Sequence, residues 1–184
     1  MIERSISLRF PLLIAIFALA LGAVGITNAA AQKSAGTAGI LSRDQAGPLL
    51  PPSVFYLSQV APIQARNSAG YKFANGRLFL AALVDTSGYS SAVQQTYQGY
   101  LILEVPIKVG DKTLGAGAYG FGFVAGNKMV VMDLGGTEVL STSTTADASM
   151  ARPNPLQILA APGSASGFRL YLGRSYVAIE AATK

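Results

Sequence analysis

The chain has 184 residues, with 14 Lys or Arg against 9 Asp or Glu, and it contains no His, Cys or Trp. Without His and Cys, Ser-His-Asp and Cys-His catalysis cannot be built, and zinc loses its ordinary ligands. Charged residues make up only 12% of the chain and its Lys and Arg stand singly. Nucleic-acid partners, which need a clustered basic face, are therefore not expected.

The chain opens with Arg4 and Arg9, then an apolar run over 11–24, then Ala29-x-Ala31. Basic start, apolar middle and small-residue end are the three parts of a secretory signal peptide. We expect residues 1–31 to be that signal, cleaved after Ala31, and the protein to be exported, periplasmic or extracellular, with no membrane span after cleavage. The alternative is an uncleaved anchor, because the uncharged stretch over 11–27 reaches the short edge of a spanning helix. No Cys follows the apolar run, so no lipid anchor is expected. Residues 32–52, QKSAGTAGILSRDQAGPLLPP, are small, polar and interrupted by Gly and Pro, which predicts a flexible linker.

From Ser53 the pattern has period two. SVFYLSQV predicts a first strand, and YKFA and RLFLAALV flank Asn75-Gly76, a strong hairpin signal. GYLILEVPIKV is interrupted by Pro106, which cannot donate to a ladder and so predicts a sheet edge or bulge. AYGFGFV and KMVVMDL flank Gly126-Asn127, TEVLSTS follows Gly135-Gly136, PLQILAA follows RPNP, and FRLYL and SYVAIEA flank Gly173-Arg174. Residues 53–182 thus predict a single all-β domain of about nine or ten strands, an antiparallel β-sandwich or a small up-and-down barrel. TTADASMA at 144–151 is the one segment after the leader with helical potential.

Residues 115–120, GAGAYG, spell G-x-G-x-x-G. That fingerprint binds a dinucleotide only where a helix starts within it. Here Ala118, Gly120 and Gly122 alternate with Tyr119, Phe121 and Phe123, which predicts a strand with rings on one face and almost nothing on the other. No cofactor is expected. Tyr119, Phe121 and Phe123 are the first candidates for a ligand-pocket wall. Tyr100 and Glu104 join them, since Tyr100, Ile102 and Glu104 share one face in strict alternation. Glu104 is either the acid of a pocket or a solvent-facing strand residue. Leu114, Gly117 and Tyr119 resemble the L-x-x-G-x-Y strand openings of uncharacterised exported bacterial β-domain proteins, a likeness of one strand that implies no activity.

Asp85 ends an apolar strand in the sequence D-T-S-G, which resembles the active-site strand of retroviral-type aspartic proteases. Leu172-Gly173-Arg174 resembles the later I-G-R turn of that family. The likeness implies an acid at Asp85 that shares a proton with a second copy across a dimer. Ser87 stands where the family has glycine. The plainer reading is a turn built from turn-forming residues. Asp85, Asp111, Asp133 and Asp147 lack the spacing of a calcium loop, so no metal is expected.

Three functions follow. The first is a non-enzymatic exported β-domain that binds a small apolar ligand or an envelope protein. The second is a structural or adhesive surface protein, and the third an aspartic hydrolase using Asp85.

Overall fold

The computed structural model describes residues 37–182; the expected signal peptide and its cleavage point lie outside them. The strands in chain order are β1 (Gly39–Leu41), β2 (Ser53–Tyr56), β3 (Gln59–Lys72), β4 (Leu78–Val84), β5 (Gly99–Leu103), β6 (Ile107–Val109), β7 (Lys112–Leu114), β8 (Gly117–Val124), β9 (Lys128–Met132), β10 (Glu138–Ser143), β11 (Thr145–Ala146), β12 (Leu156–Ala160), β13 (Phe168–Leu172) and β14 (Ser175–Ala181). Two short helices, α1 (Arg43–Ala46) and α2 (Ser91–Thr96), and a 3-10 turn over Gly47–Leu49 complete it.

Two antiparallel sheets form a β-sandwich. The 8-stranded sheet runs β1-β3-β4-β5-β8-β9-β10 with β2 added to β3, and the 6-stranded sheet runs β12-β13-β14-β6-β7 with β11 added to β14. The chain changes sheet between β5 and β6, between β7 and β8, and between β10 and β11. Pro106 stands at the first of these crossings, where its carbonyl accepts from Ala182 N at 3.1 Å. A residue that cannot donate to a ladder is well placed where one ladder is abandoned for another. The sandwich, not the closed barrel, is the outcome.

Between the sheets lies an apolar core. From the large sheet come Tyr71, Phe79, Leu101, Phe121 and Val131; from the small one, Ile107, Ile158, Phe168, Leu170 and Ile179. Alternation supplies these faces directly: in β13, Phe168 and Leu170 point in, fully buried, and Arg169 between them does not.

Three local expectations are corrected. The segment expected as a linker is folded from Gly39 onward. β1 pairs with β3, with Leu41 opposite Gly70, and Gln45 Oε1 accepts from Ser42 N at 2.9 Å to start α1. Ser42 and Gln45 are the two ends of a capping-box sequence, and α1 then buries Ala46 completely.

SVFYLSQV is not one strand. It turns at Leu57 (φ 46) and Ser58 (φ 62), a left-handed pair without glycine. Leu57 N donates to Leu134 O at 3.0 Å, a tertiary contact that helps hold this turn against its intrinsic preference.

Residues 144–151 form no helix. β11 pairs with β14, and the Asp147 carboxylate accepts from Ser149 N at 3.1 Å and Tyr171 Oη at 2.9 Å. Asp side chains that bond local backbone in this way compete with helix formation.

Candidate functional site

Strand β8 fixes where the candidate residues go. Its alternation is as expected, but the two faces serve different layers. Tyr119, Phe121 and Phe123 face the small sheet. Phe121 is fully buried and fills the space that a side chain at Gly99, its cross-strand partner, would need. Tyr119 is half-buried and its hydroxyl donates to Gly115 O at 3.2 Å. Phe123 is half-buried, with its backbone N held by Gln98 Oε1 at 2.9 Å.

The bare face is covered. Gly120 lies under two rings: a Cβ there would sit 2.9 Å from Tyr97 and 3.0 Å from Tyr56. Those rings stack at 3.9 Å between centroids, and Tyr89 meets Tyr97 edge-on at 5.5 Å. The Tyr56 hydroxyl donates to Met132 Sδ at 3.1 Å and that of Tyr89 to Tyr56 O at 2.9 Å. β2 carries Tyr56, and Tyr89 and Tyr97 flank α2 on either side, so the large sheet is packed on both faces. Tyr100 belongs to this outer cluster. The expected pocket wall is therefore split across opposite faces of one sheet.

Tyr97 is fully buried and its hydroxyl has no hydrogen-bond partner among the described residues. Burial, first of all, pushes its pKa up, with the neighbouring tyrosines adding to the effect. A buried hydroxyl without a partner costs about 1–3 kcal/mol. Tyr97→Phe is expected to raise stability by about 1 kcal/mol in urea unfolding, whereas Tyr89→Phe, which loses bonded contacts, lowers it by a similar amount. A destabilised Tyr97→Phe would show that this hydroxyl is satisfied.

Glu104 is exposed beyond the end of β5, where its Oε2 accepts from Leu78 N at 2.9 Å. It fastens the start of β4 and joins no pocket with Tyr100. Asp85 is also exposed, and its Oδ1 accepts from Ser87 N at 3.0 Å. Bonds to Ser87, its backbone N–H first, hold the Asp85 pKa below the usual value, as in a solvated turn carboxylate. Gly173 makes the β13–β14 turn at φ 60, and Arg174 donates to Met150 O at 3.0 Å, tying down the crossing from β10. Both protease-like motifs are thus turn structures. Among the described residues no group of three or more Asp or Glu could hold a metal ion, and no helix is long and apolar enough to cross a membrane.

Two clefts open where the sheets diverge. The mouth cleft, about 510 Å³, lies between Leu83 and Phe123 of the large sheet and Leu172 of the small one, with Gln64, Gln98 and Thr144 as polar groups. Of the five pocket candidates, Phe123 alone lines it. The seam cleft, about 430 Å³, lies where β12 crosses β1 and β3. A bulge shapes it: Gln64 pairs with Leu83 and Ser68 with Ala82, so Ala65, Arg66 and Asn67 are extruded from the ladder. Ser68 Oγ donates to Ala65 O at 2.6 Å and Asn67 Nδ2 to Gln64 Oε1 at 2.8 Å, which stabilises the bulge. No glycine or proline lies between Gln64 and Ser68, so sequence patterning misses this site. Comparison with protein families, curated proteins and solved structures finds no match to this chain.

Proposed function

We propose that this protein is an exported, non-catalytic binding domain that takes a small apolar ligand in the mouth cleft. The carrying observation is the cleft's chemistry: Leu83, Phe123 and Leu172 provide apolar walls, with a few convergent polar groups beside them. Its volume of about 510 Å³ lies within the range of small-molecule sites. Export is supported by the opening pattern of Arg4, Arg9, an apolar run and Ala29-x-Ala31. The lack of His and Cys argues against the commonest catalytic constellations.

A second reading, attachment to an envelope protein or a structural surface role, draws on the β2–β3 hairpin. Phe55 and Val60 are register partners there, 52% and 65% exposed. Paired apolar side chains facing solvent suit an interaction surface.

One experiment addresses both. Native mass spectrometry of the protein purified from its source without denaturation is expected to show a bound small molecule. The neutral dye Nile red is expected to compete for the same place, with binding weakened about tenfold or more by Thr144→Trp, which fills the cleft. A ligand-free protein whose Nile red binding ignores Thr144→Trp overturns the cleft reading. A co-purifying protein lost in Phe55→Ser favours the second.

A further inference from the structure

The seam cleft combines cationic side chains with an apolar floor. Arg66 is carried out of the β3 ladder by the bulge and is exposed; Arg43 approaches from α1, and both also line the shallower cleft beside Asp44 and Pro48. Arg43 Nε lies 3.5 Å from Asp44 Oδ1, but both side chains are largely exposed, so the pair is weak. Among the described residues no carboxylate is within ion-pair distance of Arg66.

The neighbouring amides are already engaged. Asn154 Nδ2 donates to Gln157 Oε1 at 3.0 Å and Gln157 Nε2 to Met150 Sδ at 3.0 Å. Each of these amides has one N–H committed, and the guanidinium groups are the cationic donors at the rim. Below them Leu156 and Ile158 belong to the core, while Ile40 is 40% exposed and Leu41 half-buried.

We propose that the seam cleft binds a small amphipathic anion, a carboxylate or phosphate head on a short apolar body. Arg66 and Arg43 take the head, because the planar guanidinium fork matches both oxyanions. Ile40, Leu41 and Leu156 cover the body. The volume, about 430 Å³, exceeds the lower size of small-molecule sites. This site is separate from the mouth cleft and shares no lining residue with it.

Titration calorimetry with octanoate, octyl phosphate, inorganic phosphate and 1-octanol tests the assignment. At least one of the two octyl anions is expected to bind at one site per chain, and the stronger identifies the head group. Inorganic phosphate and 1-octanol are each expected to bind tenfold or more weakly. Arg66→Gln is expected to weaken the preferred anion about tenfold, with Arg66→Lys intermediate, while Thr144→Trp in the mouth cleft leaves it unchanged. Amide chemical-shift changes in the unmodified protein should centre on Asn67 and Leu156 rather than on Phe123 and Leu172. The proposal is overturned by no binding of either anion, by equal binding of 1-octanol or inorganic phosphate, or by shifts centred on the mouth cleft. Full binding by a folded double variant, Arg43→Gln with Arg66→Gln, overturns it as well.

Discussion

Gly122→Ala is expected to destabilise the protein by about 3 kcal/mol or more, the upper end of the usual cost of overpacking. Gly122 lies on the outer face of β8, and a Cβ there would overlap the carbonyl of Thr96 and approach the Gln98 side chain to 3.3 Å. Thr96 is the last residue of α2, so the obstacle is backbone and cannot rotate away. Relief requires displacing α2, and the next residues in the chain make that costly. Tyr97 is stacked into the outer cluster, and Gln98 N donates to Phe121 O at 2.9 Å while its side chain holds Phe123 N. Gly39→Ala is the matched control, since among the described residues nothing lies within 4 Å of its added Cβ, and it should stay within about 0.5 kcal/mol of the parent. Urea unfolding followed by circular dichroism measures both. Equal midpoints for Gly122→Ala and the parent would show that α2 does not lie against β8.

The second large effect belongs to the inter-sheet core. Phe168→Ala is expected to cost about 3–5 kcal/mol, the usual range for removing a buried ring. Phe168 is fully buried on β13, yet three rings of the large sheet surround it. It stacks on Tyr71 at 4.5 Å, meets Phe79 edge-on at 5.0 Å, and lies 6.4 Å from Phe73. Tyr71 and Phe79 sit on β3 and β4, and Phe73, just past β3, is tied by its N–H to Arg77 O at 2.8 Å, so they cannot collapse into the gap without bending a ladder or its turn, which places the cost high in the range. Phe55→Ala removes the same ring from a 52% exposed position and should cost under about 1 kcal/mol. Similar losses for the two variants would count against the packing of the sheets.

The all-β class was legible because its signals are local. Gly76, Gly126 and Gly173 take positive φ at the turns their strands flank, and alternation assigned the two faces of β8 correctly. The choice of sandwich was not legible. It depends on where strands leave one sheet for the other, and Pro106, which reads as an edge or a bulge, stands instead at a crossing. The Leu57-Ser58 turn was hidden because tertiary contact, not residue type, helps maintain it. The Ser42–Gln45 cap was readable but masked by the surrounding Gly and Pro.

For the sites the limit was distance along the chain. Phe123 was found because rings on a strand announce themselves, yet the wall opposite it, Leu172, comes from the other sheet. Arg66 carries no local signal at all. Its position depends on a bulge in β3 and on β12, whose residues lie far along the chain.

The three crossings between sheets also dictate an order of assembly. The β6–β7 hairpin, which leaves the large sheet after β5, finds its neighbour only in β14, where Val109 pairs with Ile179 and Ile107 with Ala181. Ile107, Val109 and Leu114, all buried in the finished protein, therefore have only their own two-stranded hairpin until β14 is made. Closing a loop of that length precedes any reward from its contacts. An incomplete chain can pair every strand of the large sheet, but the small sheet cannot join β6 to β13 until β14 arrives.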